Sequence, residues 1–364
     1  MAGGQPDTRL LPLEELARAA RRALRSRGHA LLDYGDPQGL PTFRAGLARW
    51  LSEKRGLALG PDDLLVTRGS QMALYLAASA LLRPGDRVAV EALGYGPAWR
   101  ALRAAGATLL PLPVDGDGLD VDALIRLDPP PRAVYLTPHH QFPTGAVLSA
   151  GRRLRLLDWA RRQRVAVLED DFDHEVHYRG APVLPLAASD PAGVVLYVGT
   201  LSKTFAPGVR TGVLVAPRAL LERAVRLRVL VDRQGDQVTE AALAELLADG
   251  TLERHLRRIV RIYAQRRELL LSLLAERLPD ALEVTPTVGG MALWARVISP
   301  VPAEAWSSAA AAEGVHVSAG QEYSFDAASV PFLRLGYAAL DEAELREAVR
   351  RLERGLRRAA RLNR

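Results

Sequence analysis

Short apolar runs rich in Val and Leu alternate with helical patterns through the first two-thirds of the chain, and this alternation most narrows the folds open to it. The spacing predicts strands at Leu64–Thr67, Arg87–Glu91, Thr108–Pro111, Ala133–Thr137, Val165–Glu169, Val194–Val198 and Gly212–Val215. Between them, apolar periodicity predicts helices such as Ser70–Leu82, Pro97–Ala105 and Arg152–Arg162. Continuous apolar strands separated by helices argue for an α/β fold with a mostly parallel seven-stranded sheet covered on both faces. The final third changes character, with Arg-rich helical patterns and then strand-like stretches at Gly290–Val297 and Phe332–Tyr337. The expected organisation is an N-terminal arm and helix over 1–30, a large domain over 31–250, and a smaller C-terminal α+β domain over 251–364. The first helix is placed near Leu13–Arg25 and could pack on either domain.

A chain of 364 residues, 48% hydrophobic and 25% charged, can bury a sizeable core and is neither disordered nor fibrous in composition. Cys is absent, which excludes disulfides and thiolate metal sites. The opening MAGGQPDTRLLPLEEL lacks the basic patch and apolar core of a signal peptide, and no apolar run reaches bilayer-spanning length. A cytoplasmic location is expected. The net charge of +6 invites a nucleic-acid reading. Between Leu252 and Leu274, however, Leu256, Ile259, Val260, Tyr263, Leu270, Leu271 and Leu274 form one apolar stripe. Arg257, Arg258, Arg261, Arg266 and Arg267 lie mostly off it, so the basic residues read as a solvated helix face.

In open parallel sheets, ligands bind beyond the carboxyl ends of the strands. The residues that follow each strand are therefore the place to search. They are Arg68-Gly69-Ser70-Gln71, Gly94-Tyr95, Pro138 to Gly145, Asp170-Asp171, and Gly199-Thr200-Leu201-Ser202-Lys203. Each has a task if the ligand is a phosphorylated aromatic aldehyde. A helix N-terminus at Gly-Ser offers free N–H groups to a phosphate, and Thr200, Ser202 and Arg210 add further donors. A lysine with lowered basicity can form a Schiff base, and a strand-end carboxylate can keep a ring nitrogen protonated. Tyr95 can stack on the ring.

These residues give the chain its resemblance. Ser202-Lys203 followed by Pro207-Gly208-Val209-Arg210 resembles the lysine signature of fold-type I, class I/II aminotransferases that use pyridoxal 5'-phosphate. Tyr34-Gly35-Asp36-Pro37-Gln38-Gly39, Thr67 to Gln71, Thr137 to Gly145, Glu169-Asp170-Asp171, Gly199 to Arg210 and the helix around Glu253 to Arg258 are most similar to the aminotransferase-like domain of MocR-type GntR regulators. The similarity covers nearly the whole chain.

The resemblance implies roles. Lys203 would form the internal aldimine and shift the proton, Asp170 would pair with the pyridinium nitrogen (Asp171 if the register slips by one), and Tyr95 would stack on the ring. Gly69, Ser70, Gln71, Thr200, Ser202 and Arg210 would cradle the phosphate. Tyr34 would reach the phosphate of a neighbouring subunit, which implies a homodimer with shared sites, and Arg334 would grip the substrate α-carboxylate. Two positions depart from the pattern. Phe142 stands where classical aminotransferases have Asn, leaving Gln141 or His140 to supply the polar contact. Phe172 stands where the MocR-type branch commonly has Tyr, which removes a donor to the cofactor's 3'-oxygen.

Ordinary readings stand beside these: Lys203 as a surface lysine, Asp170 as a strand-end cap, Tyr95 and Tyr34 as packing aromatics, Arg334 as a salt-bridged structural arginine. His139, His140, His174, His177 and Asp173 could suggest a metal cluster, but the three-residue spacing of His174 and His177 is not specific, and no metal is expected. The implied function is transfer of an amino group between an amino acid and a 2-oxo acid. The alternatives are an effector-sensing dimerisation module, or decarboxylation or oxidative deamination on the same cofactor. Met1-Ala2-Gly3-Gly4 runs directly into Gln5-Pro6-Asp7-Thr8-Arg9, where the aminotransferase-like part of such regulators begins. Without a winged helix-turn-helix segment, direct DNA binding is not expected and the stand-alone enzyme is favoured.

Overall fold

The computed structural model describes residues 1 and 3–362. In chain order it holds β1 (Leu64–Thr67), β2 (Arg87–Glu91), β3 (Thr108–Leu112), a small hairpin of β4 (Val114–Asp115) and β5 (Gly118–Leu119), then β6 (Ala133–Leu136), β7 (Ala166–Asp171), β8 (Val195–Thr200) and β9 (Gly212–Val215). Seven of these form one sheet, ordered β1-β9-β8-β7-β6-β2-β3. From β3 across to β8 every pairing is parallel, whereas β9 runs antiparallel to both β8 and β1. The connection explains the exception. A parallel return needs a crossover of a dozen or more residues, usually a helix, but the link from β8 to β9 holds only a 3-10 turn at Pro207–Val209.

Helices α1 (Leu13–Arg27), α2 (Pro41–Arg55), α3 (Ser70–Leu81), α4 (Gly96–Ala104), α5 (Val121–Ile125), α6 (Ala150–Gln163), α7 (Arg218–Val231) and α8 (Gln237–Ala248) surround the sheet. Successive strand side chains point to opposite faces. Ala133 and Tyr135 of β6 therefore join the core under α3, α4 and α7, while Val134 and Leu136 join the one under α5 and α6. α1 packs on α8, on the large-sheet side.

Beyond α8 come α9 (Thr251–Arg277), β10 (Leu282–Val284), β11 (Ala292–Val297), α10 (Ala303–Ala312), β12 (Ser318–Ala319), β13 (Phe332–Gly336) and α11 (Glu342–Leu362). The four strands make an antiparallel sheet ordered β10-β11-β13-β12. The start of the chain is tied to this unit, since Gly336 N donates to Met1 O at 2.8 Å and Asp7 pairs with Arg266 at 2.9 Å.

Two expectations need correction. β7 and β8 each continue two residues past the expected ends, so Asp170 and Asp171 lie inside a strand and obey its alternation. Arg266 and Arg267 are buried rather than solvated. Arg266 reaches Asp7 and the carbonyl of Ala338, and Arg267 covers the ring of Tyr178 at 5.4 Å. An arginine whose stem lies against apolar surface and whose head finds a carboxylate or a ring can be internal. Among the described residues, no helix is long and apolar enough to cross a membrane.

Candidate active site

A cavity of about 330 Å³ opens at the carboxyl ends of β1, β7 and β8. Ser70, Gln71, Tyr95, Asp170, Thr200, Ser202, Lys203 and Arg210 all line it, together with Gln5, Thr137, Phe142, Phe172 and Pro207. The tips of five separate strands thus supply one site.

α3 begins at Gly69 with no side chain capping it, so its first backbone N–H groups are free to bind an anion. Gly69 has φ +83°, and a Cβ there would lie 2.9 Å from the Arg210 guanidinium. A Cβ on Gly212 would come within 2.8 Å of Ser70 N. Glycine at these two positions lets strand, helix start and guanidinium close around the mouth of α3. Arg210 itself donates to the carbonyl of Arg68 at 2.9 Å. Thr200 Oγ1 accepts from Ser202 N at 3.1 Å and so fixes the turn that carries Lys203.

Alternation decides between the two aspartates. Asp170 shares a face with Leu168 and Tyr135 and looks into the cavity. Tyr135 Oη donates to Asp170 Oδ2 at 2.9 Å, while Oδ1 is buried without a partner. Burial pushes the Asp170 carboxyl up to about 7, against the hydrogen bond from Tyr135. Asp171 points the other way, accepting from Tyr197 Oη at 2.8 Å and pairing with Arg55 at 3.2 Å. Burial would raise Asp171, but Arg55 and then His174 hold it well below the usual carboxylate range.

Lys203 is not a surface lysine. Its Nζ donates to the carbonyl of Gly4 at 2.7 Å, and burial, followed by the nearby Arg334 guanidinium, lowers it to about 8. Arg334, buried on β13, has no ion pair among the described residues. Its Nε is unpartnered, and its guanidinium stands 4.7 Å from the centre of the Phe142 ring, which lines the cavity. Phe142 in turn meets Tyr95 edge to face at 5.4 Å.

Tyr34 lies outside this cavity, 76% exposed, with Arg233 stacked 4.6 Å from its ring centre. It is not a core aromatic. The structure corrects the expectation for Gln141 and His140, neither of which lines the cavity. The Gln141 amide donates to the carbonyls of Leu93 and Phe142 and accepts from Thr144, so it ties its own loop to the one after β2. His140 Nδ1 is bound to Asp173 at 2.9 Å. Sequence reasoning gave no role to Thr137 or Tyr135. Tyr135 carried a signal, because a phenol inside a fully buried strand must find a hydrogen-bond partner.

The donor set fits pyridoxal 5'-phosphate. An uncapped helix start faces an arginine where a phosphate would sit, and an orphaned buried carboxylate oxygen matches a ring N–H. A lysine of lowered basicity matches an aldehyde. Fold and site define a cofactor-dependent transferase of amino groups, and the chain belongs to the aminotransferase class I and II family, which it matches over residues 1–352.

Among its relatives, the chain is 34% identical to a 2-aminoadipate transaminase of Thermus thermophilus over 98% of its own length and 89% of that protein. It is also 34% identical to the probable rhizopine catabolism regulatory protein MocR of Rhizobium meliloti, over 96% of the chain and 70% of the regulator. In structure it is similar to the α-aminoadipate aminotransferase LysN of Thermus thermophilus, solved in complex with N-(5'-phosphopyridoxyl)-L-leucine, with a TM-score of 0.91 and 33% identity over 99% of this chain and 92% of that one. The protein is a pyridoxal 5'-phosphate-dependent aminotransferase acting on amino acids and 2-oxo acids.

Proposed function

We propose that Lys203 is the residue that joins the cofactor and moves the proton of the transfer, with Asp170, Tyr95 and Arg334 as its working partners. The observation that carries this reading is the convergence in one cavity of a lysine lowered to about 8 and a carboxylate with one free buried oxygen. Pyridoxal 5'-phosphate, when bound, supplies an electron sink for the bond broken at the substrate Cα.

The chain's residues do the rest. The N–H groups of Ser70 and Gln71, with Ser202, Thr200 and Arg210, would hold the phosphate. Asp170 Oδ1, buried without a partner, would accept the ring N–H and keep that proton in place. Tyr95, on the cavity wall, would pack against the ring. Lys203 Nζ, its basicity lowered by burial and by Arg334, would take and hold the proton from substrate Cα. Arg334 offers a planar fork to the α-carboxylate, and the Phe142 ring steadies it.

The surface supports a homodimer in which Tyr34 serves the partner's phosphate. Tyr34 is 76% exposed, Leu32 nearby is 69% exposed and Leu230 at the end of α7 is 82% exposed. Arg233, three residues past Leu230, covers the Tyr34 ring, which joins these residues into one patch. A cytoplasmic setting, where free amino acids and 2-oxo acids are held, goes with this reading.

The test is borohydride reduction of the coloured protein followed by peptide mass mapping. The modification is expected on the Lys203 peptide, and an unmodified Lys203 in coloured protein overturns the assignment. A panel of amino acids should bleach the visible band and a 2-oxo acid should restore it. Bleaching without restoration, or release of carbon dioxide, would instead favour sensing or decarboxylation.

A further inference from the structure

Behind the loops that present Phe142 and Phe172 to the cavity, four histidines collect: His139 and His140 after β6, His174 and His177 after β7. The ring centres of His139 and His140 are 4.3 Å apart, those of His139 and His177 5.9 Å, and those of His140 and His177 6.1 Å. Ligand-capable atoms of His139, His140 and His177 all lie within 4.8 Å of one another.

The remaining contacts show which nitrogens are free. His139 Nδ1 faces the carbonyl of Val183 at 3.1 Å, and a carbonyl can only accept, so this nitrogen carries the proton and Nε2 keeps its lone pair. His140 Nδ1 faces Asp173 Oδ1 at 2.9 Å, which fixes the same tautomer. An imidazole whose N–H is held by a carboxylate or a carbonyl is the usual arrangement of a metal-binding histidine. His139 Nε2, His140 Nε2 and His177 Nδ1 are buried and have no hydrogen-bond partner among the described residues. His139 and His140 are each only 2% exposed. Gly289 packs closely on the His140 ring, since a Cβ there would lie 2.5 Å from His140 Nε2 and closer still to the Val176 carbonyl oxygen. His139 Nε2 and His140 Nε2 hold buried lone pairs without a donor, which is costly unless a cation takes them, and His177 Nδ1 is likewise unpartnered.

We infer that His139, His140 and His177 bind one divalent first-row transition ion of the zinc class, with Asp173 orienting His140. Imidazole ligands suit such ions, and a tetrahedral site with bonds of about 2.0–2.1 Å places its nitrogens about 3.4 Å apart, a small closure from the present geometry. The fourth position falls to water. A second set, His139 with Asp171 and His174, shares one ligand with the first. Asp171 Oδ2, however, is already taken by Arg55 and Tyr197. The ion would tie the loop after β6 to the loop after β7, and through the His177–Gly289 bridge to the segment leading into β11. It is a staple beneath the catalytic cavity and takes no part in the transfer.

The experiment uses the cofactor-loaded protein, stripped with a chelator and titrated with Zn2+ alone by calorimetry. Titration with Co2+ alone, followed by its visible d–d bands, reports the ligand field. One equivalent should bind, the Co2+ spectrum should be that of a four-coordinate nitrogen-rich site, and bound Zn2+ should raise the melting temperature. His139→Ala and His177→Gln should each weaken Zn2+ binding by at least about 100-fold, and Asp173→Asn by about 10–100-fold. His177 is only partly buried, so His177→Gln keeps the test valid if His139→Ala does not fold; an unchanged cofactor absorbance certifies its fold. Absence of a bound equivalent, or binding undiminished in both histidine variants, overturns the site.

Discussion

Lys203 Nζ and the carbonyl oxygen of Gly4 are hydrogen-bonded at 2.7 Å, so the start of the chain lies directly over the proposed proton carrier. The same glycine abuts the proposed carboxylate grip, because a Cβ at position 4 would lie 2.9 Å from Arg334 Nη2 and 3.1 Å from Met291 Cβ. Gly4→Ala keeps the backbone carbonyl but displaces the guanidinium. KM for the amino acid is therefore expected to rise roughly tenfold, equivalent to about 1.4 kcal/mol, with a smaller effect on kcat. Steady-state kinetics of the purified variant checks this, and an unchanged KM removes Arg334 from the substrate site.

Asp170 and Asp171 are neighbours in sequence and opposites in task. Asp170→Asn replaces a carboxylate facing the cavity by an amide that cannot hold a ring nitrogen as a cation. Turnover should fall by about 10²–10³-fold with little change in stability. Asp171→Asn leaves the buried Arg55 with Glu175 as its remaining counter-charge and should cost roughly 3 kcal/mol of stability. Urea unfolding and turnover, measured on both variants, must separate in this way. Equal loss of turnover in both would mean that strand alternation does not divide their roles.

Much of this site was legible because it follows strand ends. Three of the seven large-sheet strands have the bounds the apolar runs predict, and the tips after β1, β7 and β8 meet in one cavity. What escaped was contact across elements. That the Gln141 amide is spent on loop contacts depends on the fold of residues 137–146 and on the position of Leu93 after β2. The burial of Arg266 depends on Asp7, which lies far away in sequence. The histidines were named together in the sequence but set aside as a metal cluster, because the spacing of His174 and His177 is not specific and β6 and β7 bring their trailing loops together only once they pair.

The lowered basicity of Lys203 sets a pH dependence in the cofactor-free protein. Below about 8 the amine is protonated and cannot attack an aldehyde, so colour development on adding pyridoxal 5'-phosphate should quicken as pH rises through about 8 and then level off. Between about 8 and 10.5 the unfolded chain holds a proton that the folded chain has lost, so folding stability should also rise with pH across that window. Burial is the first cause of the shift and Arg334 the second. Arg334→Leu should therefore move the uptake midpoint to higher pH without restoring the full lysine value. Stopped-flow absorbance at a series of pH values measures both proteins; identical midpoints would exclude coupling between the two cations.

Phe172 lines the cavity with its ring edge-on to Phe142, centre to centre 6.0 Å, and brings no donor to that wall. A phenol at this position would place an O–H where the resemblance expects one, against the cofactor's 3'-oxygen. A hydrogen bond to a charged oxygen contributes about 1.5 kcal/mol net, and one pH unit corresponds to about 1.36 kcal/mol. Phe172→Tyr should therefore lower the pH at which the bound cofactor's visible band interconverts by roughly one unit, since the added donor favours the deprotonated, more anionic form. A spectrophotometric titration of both proteins decides the matter. An unchanged midpoint would mean that the side chain at 172 does not reach the cofactor oxygen, and that Phe142 and Phe172 serve only to wall the cavity.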